Sequence, residues 1–276
     1  MLTLIATPIG NLSDITYRAV ETLRAADVVY CEDTRRTLQL LNHLDIKKTL
    51  VSCHEHNERE RAEEVVSHLR AGRSVAYVSD AGMPGISDPG AALVSACIAA
   101  GLPYTVLPGA SAVLTAAVLS GLPCRTFSFY GFLPRDSKGR RAYLERIAAC
   151  GQLAILYESP HRVGATFAAL RDALGDRPAA LLRELTKKFE SVERGTLSEL
   201  AARFSDTEPK GECVICVLAA QEEHVPVETD ALDALLLRAL EDGFSVKDAA
   251  ALAVERLGVK KKGAYARALD LREEEA

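Results

Sequence analysis

Five short apolar runs, each followed by a helix-patterned segment, fill the first 120 residues. The runs are LTLIA (2–6), DVVYC (27–31), TLVSC (49–53), SVAYVS (74–79) and PYTVL (103–107). Helical periodicity covers 14–26, 35–44, 58–71, 90–100 and 110–120. Parallel strands need long crossover connections, usually helices, so this alternation predicts a parallel sheet with helices on its faces. Ligands of such sheets sit beyond the C-terminal ends of the strands. Three Gly/Pro loops stand at those ends: TPIGN (7–11), SDAGMPGISDPG (79–90) and PGASA (108–112). Glycine lets backbone approach a ligand closely and proline holds a loop in shape. Their coincidence at one sheet edge predicts a shared pocket. The first loop is not GxGxxG, so a dinucleotide fingerprint is absent. Asp80 and Asp88 would repel a polyphosphate and suit a ligand with hydroxyls or positive charge.

The pattern changes near GLPCRTFSFYGFLPR (121–135), where strand-like runs follow one another without a helix between them, as in LLREL…SVERGTL. This predicts two α/β domains, 1–121 with a parallel sheet and 122–222 with a mixed sheet, joined at Gly121-Leu122-Pro123. QEEHVPVETD (221–230) reads as a second linker. Residues 230–276 are helical: Leu232, Leu235, Leu236 and Leu240 share a face, Gly243 ends that helix, Ser245 with Asp248 starts the next, and Gly258 separates a third. The last two helices have the shape of a helix-turn-helix.

A net charge of −5 excludes a surface that is basic throughout. Nucleic-acid contacts must then come from local patches. Arg35 and Arg36 in CEDTRRT, Lys138, Arg140 and Arg141 in KGRR, and Lys260, Lys261 and Lys262 are the candidates. Basic residues at a helix N-terminus oppose its dipole, and phosphate binding is a reason to keep them there. In the same CEDTRRT segment Glu32 and Asp33 can serve as bases or acceptors, or simply cap a helix. His54 and His56 share a strand face but lack a third metal ligand, so polar contacts or a general base are favoured over a metal. The seven cysteines are scattered, and Cys213 and Cys216 point to opposite faces of a strand, which predicts free buried thiols in a reducing compartment and no metal site. The start shows no basic n-region, and no run is long enough to span a bilayer, so a cytoplasmic location is expected.

The ordered set ATPIGNLSDIT, CEDTRRT, HEHNE, VSDAGMPGISDPG, LPGASA, GFLPR, KGRR, YESPHR, RELTKKFE and KGE resembles the tetrapyrrole-methylase-like class of S-adenosylmethionine-dependent methyltransferases. Within it, the chain is similar to the bacterial branch that methylates a cytidine 2′-hydroxyl in the decoding region of 16S ribosomal RNA. The resemblance covers about the first 220 residues in order, and the helical tail also matches. It implies two α/β domains with a cofactor cleft between them, S-adenosylmethionine as cofactor, no metal, a homodimer, and 16S rRNA in the small ribosomal subunit as partner. It further implies that Pro8 closes one side of the pocket and that Ser79, Asp80, Ala81, Gly82 and Ile86 meet the methionine part and ribose. Ser111 and Ala112 would line the pocket, with Tyr157, Glu158, Leu185, Gly211 and Glu212 near adenine. Met83 departs from the family, which usually has threonine there. For the transfer itself Asp33, Glu32 and His54 are the candidate bases. Competing readings are a methyltransferase of tetrapyrroles or other small molecules, a ligand-sensing DNA-binding regulator, and a non-catalytic RNA assembly factor.

Overall fold

In the computed structural model of the chain, residues 1–218, 229–257, 259 and 261–274 are described. They form a compact unit Met1–Ala219 and a separate unit Ala220–Ala276.

The first sheet comprises β1 (Leu2–Ile5), β2 (Val28–Cys31), β3 (Leu50–Ser52), β4 (Val75–Val78) and β5 (Tyr104–Leu107), in the order β3-β2-β4-β1-β5. Every pairing is parallel, as the alternation predicts. The three inner strands are buried on both faces, which is why they read as continuous apolar runs. Alternate side chains serve opposite faces. Val28 and Tyr30 pack with Val65 and Leu69 of α3 (Glu58–Arg70) and with Leu93 and Cys97 of α4 (Ala91–Ala99). Val29 and Cys31 pack with Ala19 and Leu23 of α1 (Tyr17–Ala25) and Leu41 of α2 (Thr34–His43).

The second sheet is mixed, in the order β6-β7-β10-β8-β9: β6 (Phe127–Phe132), β7 (Leu153–Glu158), β8 (Pro178–Arg183), β9 (Ser191–Thr196) and β10 (Cys213–Leu218). Only β6 and β7 pair in parallel. One face is covered by α6 (Ser137–Ala149), α7 (Val163–Leu174) and α8 (Leu197–Arg203) through Ile147, Phe167, Leu170 and Leu200. The other face, with Leu153, Ile155, Ala180, Leu182, Val214 and Cys216, meets Val113, Ala116 and Ala117 of α5 (Ala112–Leu119). So α5 follows a strand of the first sheet and packs on the second, tying the two together.

Arg194 of β9 fastens that tie. Its guanidinium donates to the Ser120 carbonyl at 2.7 Å and the Leu119 carbonyl at 2.6 Å, at the C-terminal end of α5. Gly121, left-handed at φ 74°, then turns the chain toward β6. Arg194→Ala should lower unfolding stability by about 2 kcal/mol, since it removes two charge-assisted bonds and leaves two carbonyls without them. A denaturation midpoint equal to wild type would show that the clasp carries no weight.

The second unit holds α9 (Thr229–Glu241), α10 (Val246–Leu257) and α11 (Lys261–Glu274) around Leu236, Ala249, Ala250, Ala253, Ala264 and Ala268. Gly243 takes φ 87°, and Ser245 accepts from the Asp248 amide at 3.2 Å, as the cap pattern predicts. Arg267 grips Asp233 with two bonds of 2.9 and 2.7 Å. The expected linker falls mostly on residues 219–228, which lie outside the described residues, as do Gly258 and Lys260.

All seven cysteines are free. Cys213 and Cys216 enter opposite clusters of the second sheet, and the described residues contain no group of side chains suited to a metal. Burial pushes the Cys31 and Cys213 thiols up to about 11, and those of Cys53 and Cys216 up to about 12. No helix among the described residues is long and apolar enough to cross a membrane.

Candidate functional site

Because β1 lies between β4 and β5, the loops after these three strands are neighbours. The Thr7 and Gly82 backbones exchange two hydrogen bonds of 2.9 Å, and the Thr7 hydroxyl donates to the Ser79 carbonyl at 3.1 Å. Gly82 adopts φ 81°, and a Cβ at Gly109 would stand 2.7 Å from the Ala6 Cβ. Left-handed backbone and close approach therefore account for the glycines at these two positions. The 79–90 loop then folds back on itself: Ser87 lies at φ 62°, and the Gly85 amide donates to the Pro89 carbonyl at 3.0 Å. Glu58 of α3 anchors its far end, accepting from the Gly90 and Ala92 amides at 2.6 and 2.9 Å.

These loops form one wall of a cavity of about 390 Å³ in the cleft between the two sheets. Ile9, Ala81, Ser87, Asp88 and Ala112 come from the first half. Phe132, Tyr157, Glu158, Leu185, Gly211 and Glu212 face them from the second. A smaller adjoining cavity adds Gly82, Met83, Ile86 and Ser111. Tyr157 is held edge-on by Phe129 and Phe132, with ring centroids 4.8 and 5.7 Å away. Burial pushes its hydroxyl up to about 12, with the charges of Asp88 and Glu212 adding to the shift. Glu158, almost fully buried, accepts from Thr166 at 2.6 Å and from the Ser159 amide at 2.8 Å, which fixes the end of β7.

The loop after β8 completes the cleft. A Cβ on Gly10 would meet the Leu185 carbonyl and the Thr186 hydroxyl at 2.8 Å, so TPIGN and RELTKKFE touch only because position 10 is glycine. Lys187 bridges Glu184 at 2.9 Å and Glu212 at 3.0 Å.

Of the cofactor residues implied by resemblance, Ala81, Ala112, Tyr157, Glu158, Leu185, Gly211 and Glu212 line the main cavity, and Gly82, Ile86 and Ser111 the smaller one. Pro8, Ser79 and Asp80 line neither. Ser79 is buried at the foot of the loop, its hydroxyl without a hydrogen-bond partner among the described residues. The resemblance gives Asp80 a sharper role than Asp88, which would brace the turn before α4. Asp80 accepts from the Asp33 amide at 3.0 Å and pairs with Arg36 at 3.4 Å, so it locks β4 to β2. Asp88, brought back by the folded loop, lines both cavities. Burial, then the charges of Glu32 and Asp80, push its carboxyl up to about 6. Ile9 and Phe132 are among the cavity residues that sequence reasoning missed.

The candidate bases differ in setting. Asp33 caps α2, accepting from the Arg35 amide at 2.8 Å, and its two oxygens grip the Arg35 guanidinium at 3.2 and 2.7 Å. These bonds hold its carboxyl well below the usual range, which suits a cap better than a base. Glu32 accepts from the Asp80 amide at 3.2 Å through Oε2. His54 follows the edge strand β3, with β2 and β4 between it and β1; its Nδ1 is buried without a partner among the described residues, and its ring lies edge-on to His56 at 5.9 Å. Of the basic patches, Arg35 and Arg36 are exposed but paired with Asp33 and Asp80, and Arg141 pairs with Glu145 at 2.9 Å. Lys138 and Lys261 are exposed, and Arg140 is half-buried. Lys260 and the side chain of Lys262 lie outside the described residues.

The family profile of the tetrapyrrole (corrin/porphyrin) methylases matches residues 1–201, and that of the RsmI C-terminal HTH domain matches residues 226–272. A ribosomal RNA small subunit methyltransferase I of Halalkalibacterium halodurans is 47% identical over 227 residues, covering 82% of this chain and 78% of its own. That of Escherichia coli O157:H7 is 44% identical over 274 residues, covering 98% and 94%. Among solved structures, a uroporphyrin-III C-methyltransferase from Thermus thermophilus, complexed with S-adenyl homocysteine, has the same fold. Its TM-score is 0.57 at 21% identity, and the match covers 78% of this chain and 96% of that one.

Proposed function

The chain belongs to the tetrapyrrole methylase family and, within it, to the ribosomal RNA small subunit methyltransferases I; from this premise and the cleft we propose that it transfers a methyl group from S-adenosylmethionine to the 2′-hydroxyl of a cytidine in 16S rRNA. The observation that carries the reading is a cavity with an aromatic wall at Tyr157 and carboxylates at Asp88 and Glu212, between two sheets fixed to each other by α5. That donor set fits the cofactor. Carboxylates attract a sulfonium, the Tyr157 ring offers an apolar face for adenine, and the glycine turns let backbone amides approach a nucleoside.

When bound, S-adenosylmethionine supplies a methyl already activated by positive sulfur. The residues of the chain do the rest. Asp88 and Glu212 set the charge of the cleft, while Tyr157, Leu185 and Ile9 exclude water. The paired loops at Thr7 and Gly82 hold donor and acceptor in line. Glu32, whose Oε1 has no hydrogen bond among the described residues, is our choice of proton acceptor for the ribose hydroxyl. Asp33 positions α2, and His54, after the edge strand β3, is assigned polar contacts. Lys138, Arg140 and the Lys260–Lys262 patch are taken to hold RNA phosphates. The working form is a homodimer, supported by exposed Tyr104 and Val106 on edge strand β5 and exposed Leu114 and Val118 on α5.

The test uses labelled S-adenosylmethionine, the purified protein and small ribosomal subunits from a strain lacking the enzyme. Nucleoside mass spectrometry should show 2′-O-methylcytidine, and subunit binding should weaken steeply with salt. Unmethylated subunits, with methyl transfer to a tetrapyrrole instead, would reverse the substrate assignment.

A further inference from the structure

Beside the cofactor cleft, and sharing Gly211 with it, runs an open groove of about 510 Å³ between the 184–190 loop and the 207–211 segment. Phe189 lies along it with 70% of its surface exposed, and the Lys188 ammonium sits 5.6 Å from its ring centroid. An aromatic ring this exposed gains nothing from the protein core. Yet the loop that displays it is tightly built. Glu184 and Thr186 are both left-handed, at φ 50° and 64°, conformations costly for non-glycine residues. The Thr186 amide donates to Glu190 at 2.7 Å, and Lys187 ties the loop to Glu184 and Glu212.

The charges of the groove point to one kind of occupant. Its acids are already engaged: Glu184 with Lys187, Glu193 with Arg203 at 2.7 Å, and Glu208 with His161 at 2.5 Å. Arg183 donates to the Ser191 hydroxyl and the Lys210 carbonyl and forms no ion pair among the described residues, though its charge is felt by Glu184. Lys210 and Lys188 have no ion-pair partner among the described residues. A rigid aromatic platform flanked by spare cations is the arrangement that binds single-stranded nucleic acid. We propose that this groove is a second RNA subsite, where an unpaired base of the substrate strand stacks on Phe189 while Lys188 and Lys210 hold the adjoining phosphates. The proposal rests on the RNA reading above and deepens it. It gives the enzyme a grip on the strand outside the cofactor cavity.

Phe189→Ala and Phe189→Trp, made in the full chain, test it. The alanine variant should raise KM for small subunits about tenfold, the usual weight of one stacked base. Its kcat and its affinity for S-adenosylmethionine should stay within about twofold, because the ring lies outside the cofactor cavity. Tryptophan should restore KM, since any flat ring can stack. Lys210→Ala should lower the slope of log affinity on log salt by about 0.7. An unchanged KM in Phe189→Ala, beside an active wild type, overturns the subsite and leaves the function intact. A Phe189→Ala variant of lower mass by light scattering overturns it too, by placing the ring in a contact between copies of the chain. A wild type that methylates no RNA overturns both.

Discussion

Replacing Gly10 by valine is expected to reduce cofactor affinity by more than tenfold while both sheets stay folded. A Cβ at this position falls within 2.8 Å of the Leu185 carbonyl and the Thr186 hydroxyl, and into the stem of Lys187. The opposing loop has little room to give way. Leu185 is buried, and it stands between two residues already held at positive φ. The strain of overpacking, about 1–3 kcal/mol, is relieved by moving the loop off the TPIGN turn. That movement carries Leu185 out of the cavity wall and pulls Lys187 from Glu212. Titration calorimetry with S-adenosylmethionine reads the loss, and far-ultraviolet circular dichroism confirms retained structure. Gly10→Ala should fall between wild type and valine. Wild-type affinity in the valine variant would mean that the contact between the loops does not shape the pocket.

The second large effect is expected at Asp88, and it has opposite signs with and without ligand. The carboxyl is pushed up to about 6 from an ordinary 3.8, so the folded chain holds its proton more tightly than the unfolded chain does. Ionised Asp88 therefore destabilises the ligand-free protein; the cost grows as pH rises from about 4 to about 6 and stays constant above. Asp88→Asn removes that cost. The ligand-free variant should melt above wild type at pH 7.5, and the two should converge near pH 4. Affinity for the cationic cofactor should move the other way, falling at least tenfold at pH 7.5 with the loss of an opposed charge at short range. Wild-type affinity should also decline between pH 7.5 and 5 as Asp88 takes up its proton, and the asparagine variant should not follow. A variant that melts lower than wild type, or binds with an unchanged pH profile, would remove Asp88 from the cofactor site.

The contrast between Asp80 and Asp88 shows what a sequence discloses about such a site. The β/α alternation places both at one sheet edge, because strand period and helix period are local properties. What decides between them is the return of the 79–90 loop, made by Gly85, Ser87 and Gly90 in left-handed or related conformations. The Pro89-Gly90 pair after Gly85 is the visible signal of that return, though not of its direction. Strand order is similarly hidden. His54 follows a strand like the others, and only the order β3-β2-β4-β1-β5 puts it at the edge. Across the cleft, Tyr157, Leu185 and Glu212 line the cavity because the ends of β7, β8 and β10 are brought together by sheet pairing. α5 shows the same limit. AVLTAAVL is apolar all round, a sign of cover on more than one side, but which sheet it covers is a tertiary fact.

The burial of five of the seven cysteines bears on how the protein ages in air. Oxidants and electrophiles attack thiolates, and the core thiols hold almost none at neutral pH. Damage is thereby channelled to the two half-buried sulfurs, Cys124 and Cys150. Cys150 ends a surface helix, where an adduct is tolerable. Cys124 packs at the joint where the chain passes from one sheet to the other, beside the turn clasped by Arg194. The first oxidised sulfur to matter would thus pry at the hinge of the cleft, so that storage without reductant erodes cofactor binding before it unfolds either sheet.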